Sequence, residues 1–152
     1  MAKQVNQLER TTNMKERTLA IIKPDAVADK NTGRIITIIE ESGLSILAIK
    51  KLRLTAEQAR QFYAVHKERA FFAELVTYMT SGPIYVLALE SDNAIKRWRA
   101  LMGATNPAEA AEGSIRKLYG KSLSYNASHG SDAPETAKVE VAFFFKESDF
   151  IR

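Results

Sequence analysis

Four short apolar runs, each of strand length, alternate along the chain with segments whose apolar residues recur at helical spacing. The first is Thr18-Leu19-Ala20-Ile21-Ile22-Lys23, closed by Pro24. An apolar run of that length between stops reads as a strand buried on both faces. Residues 34–41 carry Ile35, Ile38 and Ile39 ahead of Gly43, the pattern of a helix with a glycine stop. Residues 44–54 alternate as a second strand. Thr55-Ala56-Glu57-Gln58 has the T-x-x-Q form of a capping box and opens a helix that reaches about residue 66. A further helix over 71–79 stops at Ser81-Gly82-Pro83, a strand follows over 84–89, and Asp92 or Asn93 caps a helix through Trp98 to Met102. Residues 103–134 are irregular and rich in Gly, Asn, Ser and Pro, with one short helix expected at 114–119. A last strand is expected over 139–145.

This order contains the βαββαβ pattern of the ferredoxin-like fold. The expectation is an α+β domain: a four-stranded antiparallel sheet, helices on its faces, and a long insertion loop before the last strand. A loop of about thirty residues is long for a compact domain, and loops of that length carry function or disorder. Residues 1–16 are polar and without period. They read as a flexible leader to a single domain at 17–152, and Met14 offers an alternative start.

Composition narrows the chemistry. With no cysteine in 152 residues, disulfides, thiolate catalysis and cysteine-based zinc sites are excluded. No apolar run is long enough to span a membrane, and no signal-peptide pattern opens the chain, which points to a cytoplasmic protein. The net charge is +4, half of it within residues 1–17, too diffuse for a dedicated nucleic-acid binder. H-E-x-x-H and G-x-S-x-G are absent. Gly113 to Ser122 ends like a phosphate-binding loop, but the spacing between its glycines is wrong and no strand leads in.

There are two histidines. His66 closes a helical stretch beside Lys67, Glu68 and Arg69 and reads as a helix-terminal residue on a solvated face. His129 lies in the long loop between Ser128 and Gly130, where small neighbours leave the ring approachable. A neutral imidazole offers one nitrogen for attack while the other, protonated, needs an acceptor that fixes the tautomer. Lys23 at a strand end, with Arg99 and Arg116 flanking 103–107, supplies the cations that phosphoryl transfer requires. Spacing alone leaves both readings open: a reactive histidine with its cations, or a structural histidine among solvated charges.

The stretch Asn126-Ala127-Ser128-His129-Gly130-Ser131-Asp132 resembles the N-x-x-H-G-S-D signature of the nucleoside diphosphate kinases. Similarity runs from about residue 17 to 147. Thr18 to Val27 is similar to the family's first strand with its K-P-D-[GA]-V ending. Residues 62–72 resemble its nucleotide-binding helical hairpin, and 101–107 with 113–116 its long insertion. The resemblance implies a ping-pong exchange in which a nucleoside triphosphate, mainly ATP, phosphorylates His129 and a diphosphate takes the group away. It assigns Glu140, expected in the last strand, to orienting the ring, with Ser131 beside it. Lys23, Tyr63, Arg99, Thr105 and Arg116 fall on phosphate-contacting positions, Asn126 on the one that bonds the sugar hydroxyl, and Phe71 on the base-stacking one, with Leu75 and Leu123 nearby. It also implies Mg²⁺ carried mainly by nucleotide phosphates, and self-association to a tetramer or hexamer. Stacking without base-edge readout implies low base specificity. Ala70, Ser91 and Ala133-Pro134 depart from common family residues, and none removes a chemical group.

The alternative is a nucleic-acid-binding ferredoxin-like module with Phe143-Phe144-Phe145 as stacking residues. No RNA-recognition signature accompanies them, and a continuous phenylalanine run fits a buried strand better, so nucleic acid is not expected as the primary partner.

Overall fold

The computed structural model describes residues 15–152. The expected alternative start at Met14 and most of the expected leader lie outside the described residues. Lys15 and Glu16, expected in the leader, instead belong to strand β1 (Lys15–Ile22) and pair with Asp92 and Ser91. The other strands are β2 (Ser45–Leu52), β3 (Ile84–Asp92) and β4 (Ser128–Gly130). They form an antiparallel sheet in the order β2-β3-β1-β4, which is the ferredoxin-like arrangement. Seven α-helices are described: α1 (Pro24–Ala28), α2 (Thr32–Glu41), α3 (Ala56–Phe62), α4 (Phe72–Met79), α5 (Ala94–Met102), α6 (Ile115–Tyr119) and α7 (Pro134–Phe144).

Alternation along the two central strands sorts the core into two layers. Leu19 and Ile21 of β1 join Val86 and Ala88 of β3, Val76 and Met79 of α4, and Val141 of α7. Ala20 and Ile22 join Leu87 and Leu89, Ile35 and Ile39 of α2, and Trp98 and Met102 of α5. Burial on both faces is why β1 and β3 read as unbroken apolar runs rather than alternating ones. A fully buried side chain of this size stabilises by about 1.5–3 kcal/mol, so the two layers are the main source of stability.

The segment 139–145 corrects the sequence reading. It is not the last strand but the body of α7, and the fourth strand is the signature itself, Ser128–Gly130. Pro134 at the first helical position pre-sets the backbone angle, and Glu135 places an acid in the first turn. Buried Ala137 and Val141 recur four residues apart while Val139 is 69% exposed, a helical and not a strand pattern. Phe143 is at the surface and Phe145 is buried just past the helix end, so the phenylalanine run is a helix terminus. The cap of α5 also differs. Asn93 sits in the left-handed region (φ 52°) and its side chain makes no cap bond. Glu16 from β1 accepts from the Ile95 amide instead (2.9 Å). The capping box at Thr55 and Gln58 is present as expected, with bonds of 2.9 and 3.1 Å.

Candidate active site

β4 is short, and its register decides where the chemistry lies. His129 stands opposite Ile21, and Ser128 opposite Ile22. Cross-strand neighbours share a face. His129 therefore faces α7 and the end of α3, while Ser128 faces α5. The rings of Phe62 and Tyr63 lie edge-on to the imidazole at 5.5 and 6.2 Å. Gly130 is required for a different reason than ligand access. A β-carbon there would come within 2.6 Å of the Trp98 ring. The Trp98 indole N–H also donates to the His129 carbonyl (3.1 Å), pinning the strand to α5.

Placing 134–144 in a helix puts Glu140 across from this strand. The carboxylate Oε1 meets His129 Nε2 at 2.9 Å and accepts from the Ser131 hydroxyl at 2.8 Å. Ser131 in turn accepts from the Leu19 amide (3.3 Å). Burial pushes the Glu140 carboxyl up, but the bond and charge of His129 and the Ser131 bond outweigh it, and the group ends below its ordinary value. An ionised Glu140 makes Nε2 the protonated nitrogen, which leaves the Nδ1 lone pair free.

Two of the three expected cations, Lys23 and Arg116, meet at the turn before β4. Lys23 follows β1 directly, and its ammonium donates to Asn126 Oδ1 (2.8 Å). The Asn126 amide donates to the Thr105 carbonyl (3.3 Å). Burial, followed by the charge of Arg116, lowers the Lys23 pKa to about 8. The buried Arg116 guanidinium donates to the carbonyls of Gly103 (3.0 Å) and Ser128 (2.9 Å). Burial, then the charge of Arg99, lowers it to about 10. Its Nε and the Tyr63 hydroxyl are buried without hydrogen-bond partners. Arg99 is half-exposed and paired with Asp132 (2.7 Å).

A cavity of about 350 Å³ adjoins these groups. Lys23, Phe71, Leu75, Thr105 and Leu123 line it together with Tyr78 and Tyr125. Phe71 is 47% exposed, presenting a ring face, and His66 packs against it at 5.5 Å rather than standing free in solvent. The twelve site residues expected from sequence thus fall into two connected groups. Five line the cavity, and the other seven, the His129–Glu140 pair among them, are outside its lining. Phe62, Trp98 and Asp25 were not singled out. Asp25 had a signal, since it stands in the K-P-D segment; the contacts of Phe62 and Trp98 with β4 are tertiary and have no local signature. Among the described residues no group of three His, Asp or Glu side chains is placed to hold a metal, and no helix is long and apolar enough to cross a membrane.

Comparison with known proteins agrees with this geometry. The model of the nucleoside diphosphate kinase family matches residues 16–150. The nucleoside diphosphate kinase of Bradyrhizobium diazoefficiens is 57% identical over 90% of this chain and 97% of its own length. That of Oleidesulfovibrio alaskensis is 58% identical over 87% and 95%. The crystal structure of the Aquifex aeolicus nucleoside diphosphate kinase superposes with a TM-score of 0.89 at 44% identity, covering 90% of this chain and 99% of that one. The Halobacterium salinarum enzyme in complex with CDP gives 0.87 at 38% identity, covering 91% and 92%. The chain belongs to the nucleoside diphosphate kinase family and is a phosphotransferase.

Proposed function

We propose that the chain carries a γ-phosphoryl group on Nδ1 of His129 and passes it between nucleotides in a ping-pong cycle. The observation that carries this reading is the 2.9 Å contact between His129 Nε2 and Glu140, with Ser131 as a second donor to the same oxygen. The Nδ1 lone pair forms the N–P bond, the bond from the γ-phosphorus to the bridging oxygen breaks, and the diphosphate leaves. The second half-reaction reverses these steps with another diphosphate. Glu140 holds the ring and stabilises the positive charge that builds on it. Lys23, Arg99 and Arg116, with Thr105 and Tyr63, contact the phosphates. Asn126 bonds the sugar hydroxyl, and the base stacks on Phe71 against Leu75 and Leu123. Stacking accepts any base, so specificity for base and sugar is low.

The side chains proposed to meet the phosphates are cationic, hydroxyl and amide groups, which pair with phosphate oxygens rather than ligate a metal. Mg²⁺ enters with the nucleotide, held mainly by its phosphates. Residues 15–152, two more at the start than the expected 17–152 because β1 begins at Lys15, form the catalytic domain of a cytoplasmic enzyme that assembles as a tetramer or hexamer, a count that light scattering reads directly. Initial rates against ATP at several fixed GDP concentrations test the cycle: parallel double-reciprocal lines are expected, and lines that intersect contradict it.

Two further outcomes follow from the site. Glu140→Gln keeps an oxygen for Nε2 but removes the charge, so kcat should fall about 10²-fold while nucleotide binding stays close to normal. Weakened binding with unchanged turnover would contradict the orienting role. Lys23 has a lowered value of about 8. Below that pH the free protein holds the cation, and above it the cation is lost, so diphosphate affinity should weaken as pH rises, by up to about tenfold per unit. Titration calorimetry between about pH 7 and pH 9 should show this weakening, and Lys23→Met should abolish it.

A further inference from the structure

The turn that delivers Asn126 and His129 is built on an unfavourable residue. Ala127 has φ 71°, a left-handed conformation that a β-carbon disfavours, and no glycine relieves it. Something must hold it. The Ala127 carbonyl accepts from the Lys23 amide (2.9 Å), and the Ala127 amide donates to Asp25 Oδ2 (3.1 Å). The other Asp25 oxygen accepts from the Tyr78 hydroxyl. Tyr78 is a wall of the cavity and packs edge-on against Tyr125, another wall residue, at 4.7 Å. One carboxylate therefore bridges the cavity wall and the turn.

We propose that Asp25 is a positioning residue for phosphoryl transfer, tying Tyr78 to the left-handed turn at Ala127 so that Asn126 is presented to the nucleotide sugar. The inference rests on the phosphoryl-transfer reading above. Electrostatics alone would argue against an acid here. Asp25 stands two residues after Lys23, and its charge raises the lysine pKa against burial. A carboxylate beside an anion-binding cation weakens attraction for phosphate. It is spared that conflict by spending both oxygens on fixed donors. Asp25 makes no hydrogen bond to His129 or Glu140; it reaches the turn through Ala127, while its charge on Lys23 acts on phosphate and so bears alike on substrates that differ only in the sugar. The neighbouring geometry shows the route: Asn126 is one residue away, its side chain held between Lys23 Nζ (2.8 Å) and the Thr105 carbonyl (3.3 Å). A turn that relaxes moves that amide away from both.

The test compares two substrates in each variant. A nucleoside diphosphate with its sugar hydroxyls uses Asn126, and its 2′,3′-dideoxy analogue does not. The ratio of their kcat/KM values reports the sugar contact and is insensitive to the fraction of folded protein. Asp25→Ala should reduce the ratio by about 5–10-fold, toward the value in Asn126→Ala, and the double variant should reduce it little further. Asp25→Asn, which preserves shape and folding, should reduce it in the same direction. A ratio equal to that of the unaltered protein in the folded variants overturns the proposal, even where both rates fall together. Failure of the phosphohistidine reading is seen separately, as the lack of label on His129 in the unaltered protein.

Discussion

His129→Ala is expected to lose at least about 10⁴-fold in turnover while folding normally and binding nucleoside diphosphate with little change in affinity. A nucleophile that forms the covalent intermediate has no substitute in its own site, and the loss exceeds what any single positioning group contributes. The side chain sits on a sheet edge strand, partly exposed, and contributes its bond to Glu140 and edge contacts to Phe62 and Tyr63. None of the backbone bonds of β4 passes through the ring, and the Trp98 bond goes to the carbonyl. The unfolding midpoint should therefore move by no more than a few degrees. Glu140 in the variant keeps Ser131 as a donor, so no buried charge is orphaned. Calorimetric affinity for GDP and a coupled turnover assay check the two halves of the expectation. A variant with a tenth of normal activity would place the nucleophile elsewhere.

Arg116→Ala is expected to damage both stability and turnover. The guanidinium clips the Gly103 carbonyl to the Ser128 carbonyl, joining the start of the long segment to the strand of His129. Truncation leaves two partly buried acceptors without partners, at a cost of about 1–3 kcal/mol, which for a chain of this size lowers Tm by about 3–10 °C. The cost is softened by relief of the repulsion with Arg99, the second cause of the lowered Arg116 pKa. That pKa, about 10, still leaves the side chain charged at neutral pH. Two of its five N–H groups are spent on the carbonyls, and under the proposed function the remainder of the fork supplies donors and charge to the phosphates. Removing a preorganised cation from a phosphoryl-transfer site slows it by about 10²–10³-fold. Arg116→Lys should rescue neither effect, because an ammonium cannot span two carbonyls and a phosphate with one planar fork. A variant with lowered Tm and full turnover would reduce Arg116 to a strut.

The helical and strand runs that bury one or both faces were legible because their period is local. β1, β3 and α2 to α5 lie where apolar spacing, the Thr55 capping box and Gly43 put them. The last two elements were not, for two different reasons. Val139, Val141, Phe143 and Phe145 sit at even spacing and imitate a strand, while the helical evidence is the buried pair Ala137 and Val141 and a proline four residues upstream of Lys138. The true fourth strand, Ser128–Gly130, is three residues long and contains no apolar residue, so no pattern marks it. It exists because β1 offers an edge and Trp98 clamps it. The site was read by resemblance at residue level. The histidine's chemical possibilities, and the choice of Lys23, Arg99 and Arg116 as candidate cations, were accessible from residue types, but their convergence was not. The pairing of Glu140 with His129 depends on α7 crossing β4, a contact between elements that the local sequence does not encode. The exchange of strand for helix at 139–145 changed the element that carries Glu140, and the helix brings its carboxylate to His129.

In the proposed cycle phosphate rests on His129 between two nucleotides. Incubation with γ-labelled ATP, followed by removal of nucleotide, acid and alkali treatment, and a chase with GDP tests it directly. An acid-labile, alkali-stable label at one equivalent or less per chain, absent in His129→Ala, that moves quantitatively onto GDP as GTP is expected. An unlabelled protein, or a label that survives in His129→Ala or stays on the chain when GDP is added, contradicts it.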